Sequence, residues 1–131
     1  MSPLDSVTVT SSDFAAALEF YDAALGALGL VRVSELVDEE EDGAEVEAVA
    51  WGDPDGTGVL WLVAGSTGTT GLHVRFTAHS QVQVETFHHA AVAAGGRTFT
   101  APRRWPLYRR GEFNAIVADP AGNLVEAVGA E

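Results

Sequence analysis

The stretch DPAGNLVE at residues 119–126 is a proline-then-glycine turn that leads at once into an apolar strand. An earlier stretch, DPDG at residues 53–56, has the same pattern and is also followed by an apolar strand. Further out, SVTVT at residues 6–10 corresponds to HVRFT at residues 73–77, and each leads through a serine into an amphipathic helix. The chain therefore contains one internal repeat, and each half is predicted to fold as β-α-β-β-β.

Each half has one helix whose ends are marked in the sequence. The first begins after Ser12, with Asp13 supplying negative charge to its start, and its apolar residues recur at spacings of three and four. The second begins after Ser80, which forms a capping-box pattern with Gln83. Glycines follow both helices, as is typical of helix C-termini. The alternating and apolar segments predict strands near residues 6–10, 30–36, 45–51, 58–64, 72–77, 97–101, 113–118 and 124–128.

These elements predict an α+β fold in a single domain spanning residues 1–131. Module 1 covers about residues 4–64, a linker rich in glycine and threonine covers residues 65–71, and module 2 covers about residues 72–129. The two modules are expected to form a curved mixed sheet around a concave groove, with the helices on the outer faces. Such a groove is a natural site for a small ligand.

The composition excludes several classes of protein. Of 131 residues, 47% are apolar, which argues against a disordered chain. Because the sequence has no cysteine, it cannot form disulfides, thiolate metal sites or a cysteine nucleophile. The net charge of −12 disfavours nucleic-acid partners, and no apolar run approaches the ~20 residues of a membrane span. We therefore expect a cytoplasmic protein with neither nucleic-acid nor membrane partners.

The paired modules, the segment EFY at residues 19–21 and the closing stretch DPAGNLVE resemble the vicinal oxygen chelate superfamily. That superfamily includes glyoxalase (lactoylglutathione lyase), bleomycin-resistance proteins and extradiol dioxygenases, and the resemblance covers nearly the whole chain. It implies the two-module fold described above and a homodimer. It does not select among these activities, because one fold hosts many chemistries.

The resemblance also implies four metal-ligand positions, on the first and fourth strands of each module. In module 2 these positions hold His73 and Glu126, side chains suited to Zn, Ni, Fe or Mn. Counting back 67 residues from His73 gives Ser6, and counting back 66 residues from Glu126, the offset between the two DP turns, gives Leu60. Since Ser6 is a poor ligand and Leu60 is none, we expect no cofactor, with a divalent metal as the alternative.

Strand alternation extends the site to neighbouring residues. If His73 points into the groove, so does Arg75, which either pairs with Glu126 or anchors a ligand carboxylate or phosphate. The same alternation predicts four further ligand-binding residues on the groove floor, Ser6, Thr8, Leu60 and Leu62.

The segment RRWPLYRR at residues 103–110 holds four arginines and two aromatic residues in an otherwise acidic chain. In relatives this stretch often borders the cavity, so the resemblance makes Trp105 and Tyr108 candidate ligand contacts. A solvated hairpin tip is the alternative.

Two functions follow from these residues. The first is a glyoxalase- or bleomycin-resistance-like protein that binds a small organic molecule in the groove and has a degenerate metal site. The second is a lyase, isomerase or dioxygenase that uses His73 and Glu126 with or without a metal. In the metal-free version, Glu126 is the base and His73 is the polarising donor.

Overall fold

A computed structural model describes residues 4–37, 46–56, 59–105 and 111–129. The elements follow the predicted order, β-α-β-β-β twice, and the strand boundaries differ from the predicted ones by at most three residues. In chain order the elements are β1 (Ser6–Ser11), α1 (Phe14–Ala27), β2 (Val31–Val37), β3 (Val46–Gly52), β4 (Val59–Ala64), β5 (His73–Thr77), α2 (Gln81–Ala93), β6 (Arg97–Arg104), β7 (Phe113–Ala118) and β8 (Leu124–Gly129).

The strands form two four-stranded sheets, in the orders β1-β4-β3-β2 and β5-β8-β7-β6. In each sheet the first and fourth strands of the module pair in parallel, and the other neighbours are antiparallel. Both sheets are therefore mixed, which confirms the predicted α+β fold of two similar modules.

Both helices begin at side-chain caps, Ser80 as the sequence predicts and Asp13, for which the sequence predicts only a favourable negative charge. A carboxylate oxygen of Asp13 accepts a hydrogen bond from the N–H of Ala16 at 3.2 Å, and the hydroxyl of Ser80 accepts one from the N–H of Gln83 at 3.1 Å. These bonds satisfy N–H groups that have no partner inside the helix. Neither helix has both the length and the apolar character that a membrane crossing requires, as far as the described residues reach.

The core lies between the two helices and one face of each sheet. Its largest side chains are fully buried, among them Phe20 and Tyr21 of α1, Trp51 of β3 and Phe87 of α2. Because α1 and α2 also pack against each other, one apolar core joins the two modules. The sheet faces that point away from the helices are called the groove faces below.

Polar contacts also fix module 2 to module 1. The hydroxyl of Tyr21 donates a hydrogen bond to Oδ2 of Asp119 at 2.6 Å, and both side chains are buried. Burial and the neighbouring charge of Asp119 raise the pKa of Tyr21, so its hydroxyl keeps its proton. In the same turn, Nδ2 of Asn123 donates to the carbonyl of Thr69 in the linker at 2.8 Å. The turn that identified the repeat is therefore held by α1 and by the linker.

Candidate functional site

The first and fourth strands of module 2 bring the predicted polar residues together. β5 and β8 pair in parallel, with Val74 opposite Val125 and Arg75 opposite Glu126. Val125 belongs to the core, so the pair of Val74 and Val125 lies on the helix side of the sheet. Because side chains alternate along a strand, His73, Arg75 and Glu126 lie on the groove face.

Glu126 is the centre of a hydrogen-bonded cluster. Nε2 of His73 lies 2.8 Å from Oε1 of Glu126, and Oε2 accepts from Nε of Arg75 at 3.2 Å and from Nδ2 of Asn114 at 2.8 Å. The side chain of Glu126 is 1% exposed. We call these four residues the Glu126 cluster. The contact between Arg75 and Glu126, one of the two roles predicted for Arg75, is therefore present.

The donors around Glu126 keep it ionised. Burial alone would raise the pKa of this carboxyl, but the hydrogen bonds from Asn114, His73 and Arg75, with the charge of Arg75, outweigh burial and lower the pKa. An ionised carboxylate only accepts hydrogen bonds, so Nε2 of His73 carries the proton that faces it. In the neutral ring, Nδ1 of His73 is then the acceptor.

Sequence reasoning missed two residues of this site. Asn114 donates to Glu126 and accepts from Nε1 of Trp105 at 2.6 Å, and Glu112 pairs with Nη2 of Arg75. Asn114 is the one polar side chain in the apolar strand FNAIVA, and this could have identified it. Glu112 precedes the strand and carries no comparable signal.

Trp105 and Tyr108 were predicted as ligand contacts. Trp105 is half-buried and is joined to the Glu126 cluster by its hydrogen bond with Asn114. The guanidinium of Arg103 lies over its ring, 4.1 Å from the centroid. Tyr108 lies outside the described residues.

Module 1 differs from the sequence prediction in one respect. Ser6 and Thr8 lie on the groove face, as predicted, because their neighbour Val9 is buried in the core. Leu60 and Leu62 do not share that face. Leu62 is opposite Val9 in the parallel pair, and both leucines belong to the core under α1. The prediction that they line the groove floor was wrong.

The error comes from one additional residue between the first turn and its strand. β4 begins three positions after the glycine of its turn, whereas β8 begins two positions after the corresponding glycine. The turns therefore align with an offset of 66 residues, but β4 and β8 align with an offset of 65. Trp61, and not Leu60, takes the place that Glu126 has in module 2. A slip of one residue moves a side chain to the other face of the sheet.

The donor set does not fit the divalent metal that the resemblance allowed. Ser6 and Trp61 stand at the two module 1 positions, and neither is a usual ligand for these metals. In module 2 the donor atoms of His73 and Glu126 bond to each other, and Arg75 places a positive charge beside the carboxylate. Among the described residues, no three His, Asp or Glu side chains are arranged to hold a metal ion.

Comparison with known proteins agrees with this fold. A family model described as the Glyoxalase/Bleomycin resistance protein/Dioxygenase superfamily matches residues 4–127. The chain is similar to the crystal structure of a glyoxalase/bleomycin resistance protein from Albidiferax ferrireducens T118, with 26% identity and a TM-score of 0.76, over 99% of this chain and 100% of that chain. It also shares its fold with a lactoylglutathione lyase from Agrobacterium tumefaciens, with 21% identity and a TM-score of 0.64, over 98% of this chain and 94% of that chain. No curated protein matches the sequence.

Proposed function

Because this chain belongs to the Glyoxalase/Bleomycin resistance protein/Dioxygenase superfamily, we propose that it binds a small organic molecule on its groove faces without a divalent metal. The Glu126 cluster is the observation that carries this proposal. Its central carboxylate is buried, while the side chains of His73 and Arg75 are 43% and 40% exposed. Polar groups held in place at an accessible surface are suited to orienting a ligand.

Module 1 supports the same function with a neutral surface. Thr8 is opposite Trp61 on the neighbouring strand, and Trp61 is opposite Ala50 on the next. The half-buried ring of Trp61 therefore lies on the groove face beside small, uncharged side chains. The aromatic, neutral groove face of module 1 and the charged groove face of module 2 suit a molecule with an apolar body and a polar end.

The charges of the Glu126 cluster determine which polar group of a ligand can bind beside it. Arg75 pairs with both Glu112 and Glu126, so its positive charge is already matched by two carboxylates. A free carboxylate or phosphate would be repelled by these two acids. This favours a neutral or cationic polar group, and it disfavours the role of Arg75 as an anchor for anions.

Thermal unfolding against two panels tests the proposal. The first panel contains small aromatic molecules with neutral or amine substituents, and the second contains divalent metals. Members of the first panel should stabilise the wild type and should lose this effect in His73→Ala and Glu126→Gln, because a ligand stabilises only a protein that binds it. His89→Ala changes an exposed histidine on α2 and should behave as the wild type.

The metal content of protein purified without a tag or chelator completes this test. Near-stoichiometric metal in the wild type that disappears in His73→Ala would contradict the proposal. Failure of every organic molecule to stabilise the wild type would contradict it as well.

Metal-free proton transfer is a second candidate, favoured by the contact between His73 and Glu126. A buried, ionised Glu126 is suited to positioning the imidazole, and the half-exposed His73 would take a proton from a carbon next to a carbonyl through Nδ1. This reverses the two roles expected from the sequence. In D₂O the wild type should exchange the proton on that carbon of a bound carbonyl compound for deuterium. This exchange should be lost in His73→Gln and reduced in Glu126→Gln. If the wild type does not exchange this proton, proton transfer is contradicted and only the binding function remains.

The homodimer and the cytoplasmic location stay predictions that rest on the resemblance and the composition.

A further inference from the structure

A cavity of about 250 Å³ lies between the two sheets, beside the Glu126 cluster. It is lined by residues 4–7 at the start of β1, residues 59–60 of β4 and residues 74–77 of β5. Successive side chains of a strand point to opposite faces, so a cavity lined by four successive residues touches the edge of that strand. Within the described residues β1 pairs with β4 alone and β5 with β8 alone. The cavity therefore lies between the free edges of β1 and β5, and we call it the seam cavity.

The linker covers the free edge of β1 at the other end of this seam. The N–H of Thr69 donates to the carbonyl of Thr10 at 2.7 Å, and the N–H of Thr10 donates to the hydroxyl of Thr69 at 2.8 Å. Asn123 holds Thr69 in place by donating to its carbonyl at 2.8 Å. One residue thus satisfies both the backbone donor and the backbone acceptor of Thr10.

The internal repeat places Thr77 where module 1 has Thr10. Thr10 is opposite Val63 in the β1–β4 pair, and Thr77 is opposite Val128 in the β5–β8 pair. The N–H of Ala78 bonds towards β8, to the carbonyl of Val128, so the N–H and carbonyl of Thr77 point the other way, into the seam. Among the described residues, none bonds to them there. The linker runs from β4 to β5 and bonds to the strand edge at Thr10. Among the described residues, the equivalent edge at Thr77 has no such partner.

The seam cavity offers apolar walls around this polar edge. Val7 and Leu60 come from module 1, and Val74 and Phe76 come from module 2. Leu60 is 2% exposed and the other three are half-buried. A backbone donor and acceptor within apolar walls match a ligand that is mostly apolar and has one group able both to donate and to accept.

We propose that the seam cavity binds a primary or cis amide of a compact, neutral organic molecule. In such an amide an N–H and the carbonyl lie on the same side, so the N–H donates to the carbonyl of Thr77 while the carbonyl accepts from the N–H of Thr77, as the N–H and the hydroxyl of Thr69 do for Thr10. The inference rests on the proposed function, because Arg75 lines the cavity and also belongs to the Glu126 cluster. It adds to that function the chemical class of the molecule that the protein binds.

Titration of ¹⁵N-labelled wild-type protein with benzamide, whose primary amide has an N–H on the same side as its carbonyl, tests the inference. The amide resonance of Thr77 should shift to saturation, together with those of Val74 and Phe76. N,N-dimethylbenzamide retains the ring and the carbonyl but lacks the N–H, so it should bind about three- to tenfold more weakly, which corresponds to one hydrogen bond. Equal binding of the two compounds would overturn the inference, and so would the absence of any shift at Thr77.

Two variants separate this inference from the proposed function. Val59→Phe enlarges a side chain that lines the cavity and should abolish the shifts at Thr77. Val63→Phe makes the same change on the same face of β4, outside the cavity lining, and should leave the shifts intact. Benzamide binding that survives Val59→Phe in a protein with an otherwise folded spectrum would overturn the inference. Shifts confined to the Glu126 cluster would overturn it and leave the proposed function standing.

Discussion

At Glu126, burial and hydrogen bonding have opposite effects on a single carboxyl group. Burial favours the neutral acid, whereas donors from Asn114, His73 and Arg75 favour the carboxylate, and the donors prevail. A lowered pKa means that the folded state holds the ionised form more firmly than the unfolded chain does. This residue therefore contributes stability at pH values above its ordinary pKa, and the contribution is lost as the pH falls through the lowered value.

The substitution Glu126→Gln tests this linkage. At neutral pH the variant should be less stable by about 1–3 kcal/mol, because Arg75 and His73 lose a charged acceptor. The difference should shrink as the pH falls from the ordinary pKa of a glutamate to below the lowered pKa of Glu126. Urea unfolding at several pH values measures it. Glu112→Gln, at the half-exposed partner of Arg75, should show a much smaller difference, and a pH-independent gap for Glu126→Gln would contradict the argument.

At the scale of elements, the close contact between α2 and its neighbours depends on Gly96. A Cβ at this position would lie 2.6 Å from both Cε1 of Phe20 and Cγ1 of Val117, and 2.8 Å from the carbonyl of Ala91. Those atoms belong to α1, β7 and α2, so the residue lies where three elements meet. The sequence marks Gly96 as part of a helix stop, and its packing role follows from the contacts between elements.

Gly96→Ala should destabilise the protein by about 1–3 kcal/mol, because a methyl group has no room between these three elements. Gly26→Ala is the matched control. No atom lies within 4 Å of a Cβ at Gly26 inside α1, so alanine there should stabilise the helix by about 0.5–1 kcal/mol. Denaturant midpoints of the two variants should move in opposite directions. If Gly96→Ala left the free energy of unfolding unchanged, the three elements would be able to move apart without a loss of stability.

At the scale of the whole molecule, the two modules are joined by a shared core and by the buried contact between Tyr21 and Asp119. Both residues belong to the segments that carry the family resemblance, one in each module. Asp119 also accepts from the backbone N–H groups of Ala121 and Asn123, so the turn and the intermodule contact depend on the same carboxylate.

Tyr21→Phe removes the hydroxyl and retains the ring. We expect a loss of about 1–3 kcal/mol in the free energy of unfolding, because a buried carboxylate loses one donor. A double-mutant cycle with Asp119→Ala separates this contact from the turn bonds of Asp119. The two changes should be less than additive, whereas additivity would mean that the contact between Tyr21 and Asp119 contributes nothing to joining the modules.

Most of the fold could be predicted from the sequence, because its signals are local. The two DP turns, the charge of Asp13, the cap at Ser80 and the alternating strands each act within a few residues of chain. The site was predicted less completely. His73 and Glu126 were found through the resemblance, whereas Asn114 and Glu112 join them through strand pairing and side-chain contacts that no local pattern displays.

The internal repeat, the order of the elements and the residue types available for chemistry follow from the sequence alone. Which face each strand presents depends on tertiary packing, which places Leu60 in the core and Trp61 on the groove face. Side chains alternate along a strand with a period of two, so one additional residue before β4 moves every side chain of that strand to the opposite face. The partners of Glu126 and the seam cavity likewise depend on strand edges that meet across the fold.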